Sequence, residues 1–336
     1  MTDLQARADG SATVAPSAPD DVERRLEQHR GELTGYCYRM LGSTFEAEDA
    51  VQETMVRAWR AYDRFEGRAA LRSWLYRIAT NVCLDMLNGR QRRARPMDLG
   101  PASTADGPLG GTLPEVTWLE PIPDGRVLPS DGDPAELAQS RETLRLAFVA
   151  ALQHLPARQR AVLILREVLQ WKASEVAELL DTTVVSVNSA LQRARSQLAA
   201  NELSATDAIE PTDADQRALL ERYVKAFESY DMDSLVQLLH EDATLSMPPY
   251  PLWLRGRDQV RRWFVGIGHG CRGSRLVPVV ANGAPAFGQY RPSGPGGSFQ
   301  PWALQVLDIS DGRIVGLNSF LDTARLFPMF GLPDRL

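Results

Sequence analysis

Two stretches of this chain set cations and small polar side chains where they could grip an anionic polymer. Between Arg57 and Arg95 ten arginines (57, 60, 64, 68, 72, 77, 90, 92, 93 and 95) stand against only Asp63, Glu66 and Asp85. Arg72, Ser73, Arg77, Thr80, Asn81 and Asp85 recur toward one side of a helical repeat, and the stretch ends in the basic run GRQRRAR. Guanidinium groups neutralise phosphates, and Asn and hydroxyls bond base edges, so the chemistry implied is nucleic-acid contact with some base reading. A merely solvated helix would mix its charges more evenly. The second stretch, Leu155 to Leu198, offers Ser186, Ser189, Gln192, Arg193 and Ser196 on the polar side of its last helix. Hydroxyls and Gln can bond base edges, and Arg193 and Arg195 can bond guanine or phosphate. Bond-making chemistry has only His240, Asp242 and Asp308 as candidate acids and bases, and these do not assemble into a complete catalytic pair. The chain therefore reads as a binder and not an enzyme.

Helices must position these groups. In Leu155 to Leu198, Pro156 suits a first helical position, and Val162, Leu165 and Val168 follow at helical spacing. Ser174 is an N-cap candidate for a short helix turning Val176, Ala177 and Leu180 inward, and Asp181 to Thr183 make a polar turn. Val184, Val187, Leu191, Ala194 and Leu198 then form one apolar stripe. Two short helices, a tight turn and a polar-faced last helix describe a helix-turn-helix, whose last helix enters the DNA major groove. An ordinary three-helix bundle with a solvated face is the alternative. Upstream, Glu46 to Tyr62 predicts a helix with Ala47, Ala50, Val51, Thr54, Met55, Ala58, Trp59 and Tyr62 inward. Its outer side holds Glu46, Asp49, Gln52, Glu53 and Val56, an acidic surface with an apolar spot. In the arginine-rich helix Leu71, Trp74, Leu75, Ile78, Ala79, Val82 and Met86 face inward.

A length of 336 residues predicts two or three domains, and a net charge of −6 argues against a protein that coats nucleic acid everywhere. Cys37, Cys83 and Cys271 are far apart, which supports neither a disulfide framework nor a metal site, but free thiols in a reducing cytoplasm. No cofactor is implied. No apolar run approaches the roughly 20 residues that span a bilayer, and Met1 to Asp21 reads as a disordered tail rather than a secretory signal. The domains expected are 22–95 and 141–200, all-α, and 213–336, α+β. A flexible acidic linker at 96–140 and a hinge at 201–212 join them. Within the linker the run WLEPIPD is out of character, so Trp118 and Leu119 are expected to dock on another part of the protein.

The segments AEDAVQETMVRAWRAYDRFEG and LRSWLYRIATNVCLDMLNGRQRR together resemble region 2 of an extracytoplasmic-function (ECF) sigma factor, group 4 of the sigma-70 family. The later helix-turn-helix resembles region 4, so the similarity covers Leu26 to Ala200. The resemblance implies two partners, RNA polymerase core and promoter DNA. Region 2 would dock on the β′ clamp helices through Asp49, Gln52, Glu53 and Val56. It would open the −10 element with Arg68, Arg72, Ser73, Arg77 and Asn81. Region 4 would sit on the β flap and read the −35 element with Ser186, Ser189, Arg193 and Arg195. Holding a melted strand requires unstacked bases in pockets and cations along the backbone, with no bond made by this chain.

In the last third, helices at Asp215 to Ser229 and Met232 to Leu239 precede five strand-like runs: Ala243–Met247, Leu276–Ala281, Ala284–Arg291, Ala303–Ile309 and Ile314–Phe320. Asp311-Gly312 signals a hairpin, and the order predicts an antiparallel meander curved around helices. YVKAFESYDMDSLVQLLHEDATLSMPPYPLWLRGRDQVRRWF and VLDISDGRIVGLNSFLD resemble SnoaL-like members of the NTF2-like superfamily, α+β cones around an apolar pocket. Met247, Tyr250, Trp253, Trp263, Phe287, Trp302 and Phe320 are the expected lining; whether a small molecule binds there is open. The apolar tail FLDTARLFPMFGLPDRL is expected to pack back on the cone or on the helical domains. The whole layout resembles sigma factors whose fused cone replaces an anti-sigma protein and contacts the sigma domains. The alternative is a cyclase- or isomerase-type enzyme, or a small-molecule sensor, tethered to a DNA-binding module.

Overall fold

The computed structural model describes residues 19–65, 70–129, 133–200, 213–293 and 297–336. Most of the expected tail, the hinge at 201–212, and Arg68 lie outside the described residues. Helices α1 (Pro19–Glu27), α2 (Arg30–Leu41), α3 (Thr44–Ala61) and α4 (Leu71–Leu87) form the first bundle. Gly42, at φ 72°, ends α2 in the left-handed region, and Ser43 then caps α3 by accepting the Glu46 N–H at 3.2 Å. The buried stripe of α3 is made of small side chains, Ala47, Ala50, Val51, Thr54 and Ala58. Trp59, expected inward, falls on the flank of that narrow stripe and is 58% exposed. Thr80, expected on the cationic side, is buried and donates to the Tyr76 carbonyl at 2.6 Å.

The second bundle holds α5 (Pro134–Glu142), α6 (Leu146–Gln153), α7 (Ala157–Leu163), α8 (Ala173–Leu179) and α9 (Val184–Ala200), with a π turn at Ile164–Val168. Helix α8 begins two residues earlier than a Ser174 cap allows, with Lys172 at the N-cap and the Glu175 carboxylate accepting the Lys172 N–H at 2.7 Å. Asp181, at φ 49°, makes the turn, and Thr183 caps α9 by accepting the Ser186 N–H at 3.1 Å. Val187, Leu191 and Ala194 are buried as expected, whereas Val184, in the first turn of α9, is exposed.

The two bundles share one apolar core, into which the linker inserts Leu119, Ile122 and Val127. Arg160 of α7 fastens the junction. Its guanidinium donates to the Met40 carbonyl at the end of α2 and to the Gln153 and Leu155 carbonyls at the end of α6, at 3.2 and 3.1 Å for the latter two. A cation at two helix C-termini satisfies carbonyls that no helix can.

The last unit contains α10 (Asp213–Glu228), α11 (Met232–Gln237), β1 (Leu239–Ser246), β2 (Trp253–Arg255), α12 (Arg257–Val265), β3 (Arg275–Ala281), β4 (Ala284–Pro292), β5 (Phe299–Ser310), β6 (Arg313–Phe320) and α13 (Thr323–Met329). Its six-stranded sheet has the order β2-β1-β6-β5-β4-β3. Strands β3 to β6 are the expected meander, but β1 pairs parallel to β6, so the sheet is mixed. The helical segment between β2 and β3 lets the chain cross over to the far edge. Asp311-Gly312 (φ 50° and 68°) and Asn282-Gly283 (φ 56° and 67°) make tight hairpins with both central residues left-handed. One sheet face packs Phe287, Leu307 and Leu317 on Tyr223, Phe227 and Trp263. The other packs Ala286, Leu304, Val306 and Phe320 on Leu326, Phe327 and Leu332 of the tail and on Leu146 of α6. No helix among the described residues is long and apolar enough to cross a membrane.

The linker, expected to be a flexible connector, has little regular structure but a well-paired backbone. Ala94 and Trp118 form a parallel bridge, Glu120 donates its N–H to the Gly42 carbonyl at 3.0 Å, and Pro123 bridges to Ala281. Ile122 and Asn282 clasp each other: Ile122 N–H to Asn282 Oδ1 at 2.9 Å, and Asn282 N–H to the Ile122 carbonyl at 3.0 Å. Asn282 Nδ2 also donates to the Tyr38 hydroxyl at 2.6 Å and the Leu144 carbonyl at 2.8 Å. One amide thus touches both bundles, the linker and the sheet. Asn282→Ala strands these buried partners and is expected to cost about 3 kcal/mol. Calorimetric unfolding should show the last unit melting separately from the helical bundles in this variant.

Candidate nucleic-acid and polymerase interface

The arginine-rich helix does not present a free cationic face. Arg72 pairs with Glu32 at 2.7 Å, and its guanidinium carbon lies 5.2 Å from the Tyr76 ring centre and 5.4 Å from that of Trp171 in the second bundle. Arg77 Nη2 donates to the Glu178 carbonyl at the end of α8, at 2.8 Å. Ser73 is half-buried and Asn81 exposed. In the basic run, Arg90 and Arg93 meet Glu46, Arg92 meets His154, and Arg95 pairs with Asp98 at 3.1 Å. Arg93 is buried, donating to the Trp118 carbonyl at 2.6 Å and the Glu115 carbonyl at 3.1 Å, so it grips the linker. Cations expected to meet phosphate are therefore largely satisfied within the chain.

Helix α9 is open by comparison. Ser186 and Arg193 are exposed, Ser189 is half-buried, and Arg195 pairs with Glu167 at 2.6 Å. Val185, which the stripe pattern did not single out, is 74% exposed in the first turn beside Val184. On α3, Asp49, Gln52 and Glu53 are exposed, Val56 is half-buried, and Glu53 pairs with Arg57 at 2.7 Å. Gln52 and Val56 line a groove together with Leu26 of α1 and the exposed Trp59.

Residues 26–93 match the family model for sigma-70 region 2, residues 145–198 that for sigma-70 region 4, and residues 220–317 that for the SnoaL-like domain. The chain is 48% identical over 328 residues to the ECF RNA polymerase sigma factor SigG of Mycobacterium tuberculosis, covering 94% of this chain and 85% of that one. This chain belongs to the ECF RNA polymerase sigma factor family. It is also 26% identical to the M. tuberculosis ECF sigma factor SigJ, over 87% of this chain and 89% of that one. The crystal structure of SigJ aligns with 94% of this chain and all of that one at a TM-score of 0.59 and 23% identity, which establishes the shared fold.

Within this sigma factor, the first acidic residue of the WLEPIPD run has an unusual setting. Glu120 accepts a hydrogen bond from the Ser43 hydroxyl, the α3 cap, and lies 4.0 Å from Arg93 and 3.8 Å from Arg325. Trp118 and Leu119 beside it are buried; Leu119 enters the shared core of the bundles, and both face Pro248, Pro249 and Phe320 of the SnoaL-like domain. Burial pushes the Glu120 carboxyl up to about 7, outweighing Ser43 and the two arginines, which pull it down.

The SnoaL-like domain separates the expected pocket residues. Trp263 and Trp302 line one cavity with Met247 and Tyr250, but Phe287 lines a different groove, beside α10. Trp253 sits on β2 with its indole N–H donating to the Gly100 carbonyl at 2.9 Å. Phe320 points to the opposite sheet face because the β6 alternation sends Ser319 inward. The acid and base candidates do not converge either: Asp242 pairs with Arg255 at 3.3 Å, and His240 Nδ1 accepts the Asp242 N–H at 3.2 Å. Asp308, the third candidate, is half-buried on the side turned away from that cavity and accepts from Asn318 at 2.8 Å; burial raises its pKa. The residues that sequence reasoning missed are Arg93, Asn282, Trp171 and Val185. Only Asn282 had a readable signal, an Asn-Gly between two strand patterns.

Glu120 gives the clasp a pH dependence. Between the ordinary value of 4.5 and about 7 the folded state binds the proton more tightly than the unfolded chain. Its contribution is therefore full below that window and is lost as pH rises through it. The melting temperature should fall between pH 5 and pH 8 more steeply in the parent protein than in Glu120→Gln, whose amide stays neutral. Identical slopes would contradict this assignment.

Proposed function

We propose that this sigma factor binds RNA polymerase core through the α3 surface, with Asp49, Gln52, Glu53, Val56 and the exposed Trp59 meeting the β′ clamp helices, while region 4 engages the β flap. Promoter-specific initiation follows: α9 enters the −35 major groove, and α4 holds the opened −10 strand through Arg72, Ser73, Arg77 and Asn81, with Arg68 as a further phosphate contact. In the −35 groove Ser186, Ser189 and Arg193 supply hydrogen bonds, and Val184 and Val185 suit thymine methyl groups. Arg195 joins them once released from Glu167. The reaction is strand capture by a protein in the same compartment as the polymerase, the cytoplasm.

The observation that carries the reading is that Arg72 and Arg77 are turned onto region 4, against Trp171 and the end of α8. Contacts suited to a −10 strand are occupied within the chain, so promoter opening requires regions 2 and 4 to part. The SnoaL-like domain and the linker resist that parting in place of a separate anti-sigma protein. Fixing the separation of two DNA-reading units sets whether both can engage one promoter.

Run-off transcription with core polymerase tests both halves. Arg77→Glu should lower promoter-dependent product at least tenfold, and Arg193→Ala should weaken promoter binding by about 1–3 kcal/mol, or roughly fivefold to over a hundredfold. Asn282→Ala, which loosens the clasp, should raise initiation. Unchanged product from Arg77→Glu would reject the −10 assignment, and lowered product from Asn282→Ala would reject the restraining role.

A further inference from the structure

The inner face of the SnoaL-like sheet encloses a cavity that none of these interfaces uses. Inward positions of β4 to β6 are apolar at one end, with Phe287, Leu307 and Leu317, but polar at the other, with Gln289, Arg291, Gln305 and Ser319. Helix α12 and the turn after it close over the polar end, leaving a cavity of about 210 Å³.

Most of its polar groups satisfy one another. Tyr223 donates to Gln305 Oε1 at 2.8 Å, Gln305 Nε2 to Gln289 Oε1 at 2.9 Å, and Gln289 Nε2 to Ser274 Oγ at 3.0 Å. Arg291 is different. Its guanidinium carbon lies 3.2 Å from the Trp302 ring centre, its Nη2 donates to the Cys271 sulfur at 3.2 Å, and its buried Nε has no hydrogen-bond partner among the described residues. No Asp or Glu among the described residues lines the cavity. A half-buried guanidinium with no carboxylate beside it leaves its buried Nε donor uncompensated. Trp302 reaches it through a β-bulge: pairing steps from Gln289–Ala303 to Tyr290–Pro301, so Trp302 has no partner in the ladder and its ring is re-aimed.

The geometry points to a binding site for a small aromatic carboxylate, with its ring among Tyr250, Trp263 and Trp302 and its charge on Arg291. The size fits a single ring system with a short acid arm, since a dry cavity of about 150 Å³ accepts benzene. The cation in an acid-free lining selects an anion, and the flat walls select an aromatic body. The linker is the lid. Leu109 lines the cavity from the linker, which is tied to the SnoaL-like domain on either side of it by Ser103 N–H to the Trp253 carbonyl at 2.8 Å, Ala105 N–H to Gln259 at 2.9 Å and Leu113 N–H to the Pro249 carbonyl at 3.0 Å. The same linker continues into the Trp118–Asp124 clasp, so occupancy of the site is felt where regions 2 and 4 are held. This site stands independently of how the polymerase is engaged.

The test is calorimetric titration of the full-length protein with phenylacetate and indole-3-acetate. Phenylacetamide serves as the neutral counterpart and inorganic phosphate as the bare anion. At least one carboxylate should bind saturably, the amide at least tenfold more weakly, and phosphate not at all; Arg291→Met should lower carboxylate affinity about tenfold or more. Bound carboxylate should slow proteolysis of the linker between residues 100 and 113. Absence of saturable carboxylate binding up to about 10 mM, equal binding of amide and acid, or unchanged affinity in a folded Arg291→Met overturns the site. If Arg291→Met does not fold, the acid–amide contrast in the parent protein decides alone. Unchanged or faster linker cleavage overturns the lid.

Discussion

A buried backbone must find hydrogen-bond partners, and in this sigma factor that constraint is met by drawing one linker through three units. Ala94 and Gly42 supply carbonyls to Leu119 and Glu120, and Asn282 and Gly283 answer Ile122 and Asp124. Each partner comes from outside the run, so residues 118–124 are held only while the first bundle and the SnoaL-like domain both stay in place. The apolar side chains follow the same logic. Leu119, Ile122 and Val127 are buried in a core to which both bundles contribute. Separating the bundles would expose those side chains and orphan the polar groups around them, a joint cost that makes the closed arrangement cooperative.

Electrostatics tightens that arrangement. Ten arginines in one stretch would repel one another and attract any polyanion, but most described members of the set have internal partners: carboxylates for Arg57, Arg72, Arg90, Arg93 and Arg95, a carbonyl for Arg77 and an imidazole for Arg92. A chain of net charge −6 thus stores its cations against itself. Phosphates must compete with these internal partners.

Much of this was legible beforehand. Helical periodicity located both bundles, and the helix-turn-helix turn at Asp181–Thr183 followed from its polar residues. The strand order could not be read, because the parallel pairing of β1 with β6 is a long-range choice that period-two patterns do not encode. Trp59 was misplaced because a hydrophobic stripe predicts a face but not its width, and small alanines made this one narrow. The cationic face was overestimated for a related reason: composition counts arginines but not the carboxylates and carbonyls that tertiary packing brings to them. Trp118 and Leu119 stood out because bulky apolar residues are rare in linkers, while Arg93 was hidden inside a run of identical neighbours.

The central claim is that regions 2 and 4 are locked together in the free protein and part when a promoter is opened. It is tested most directly by energy transfer between dyes on Asp85→Cys in α4 and Ser196→Cys in α9, two exposed positions in a protein whose native cysteines are buried. Transfer should be high in the free protein and drop when core polymerase and promoter DNA are added together. The same high transfer in a complex that is making transcript would contradict the account.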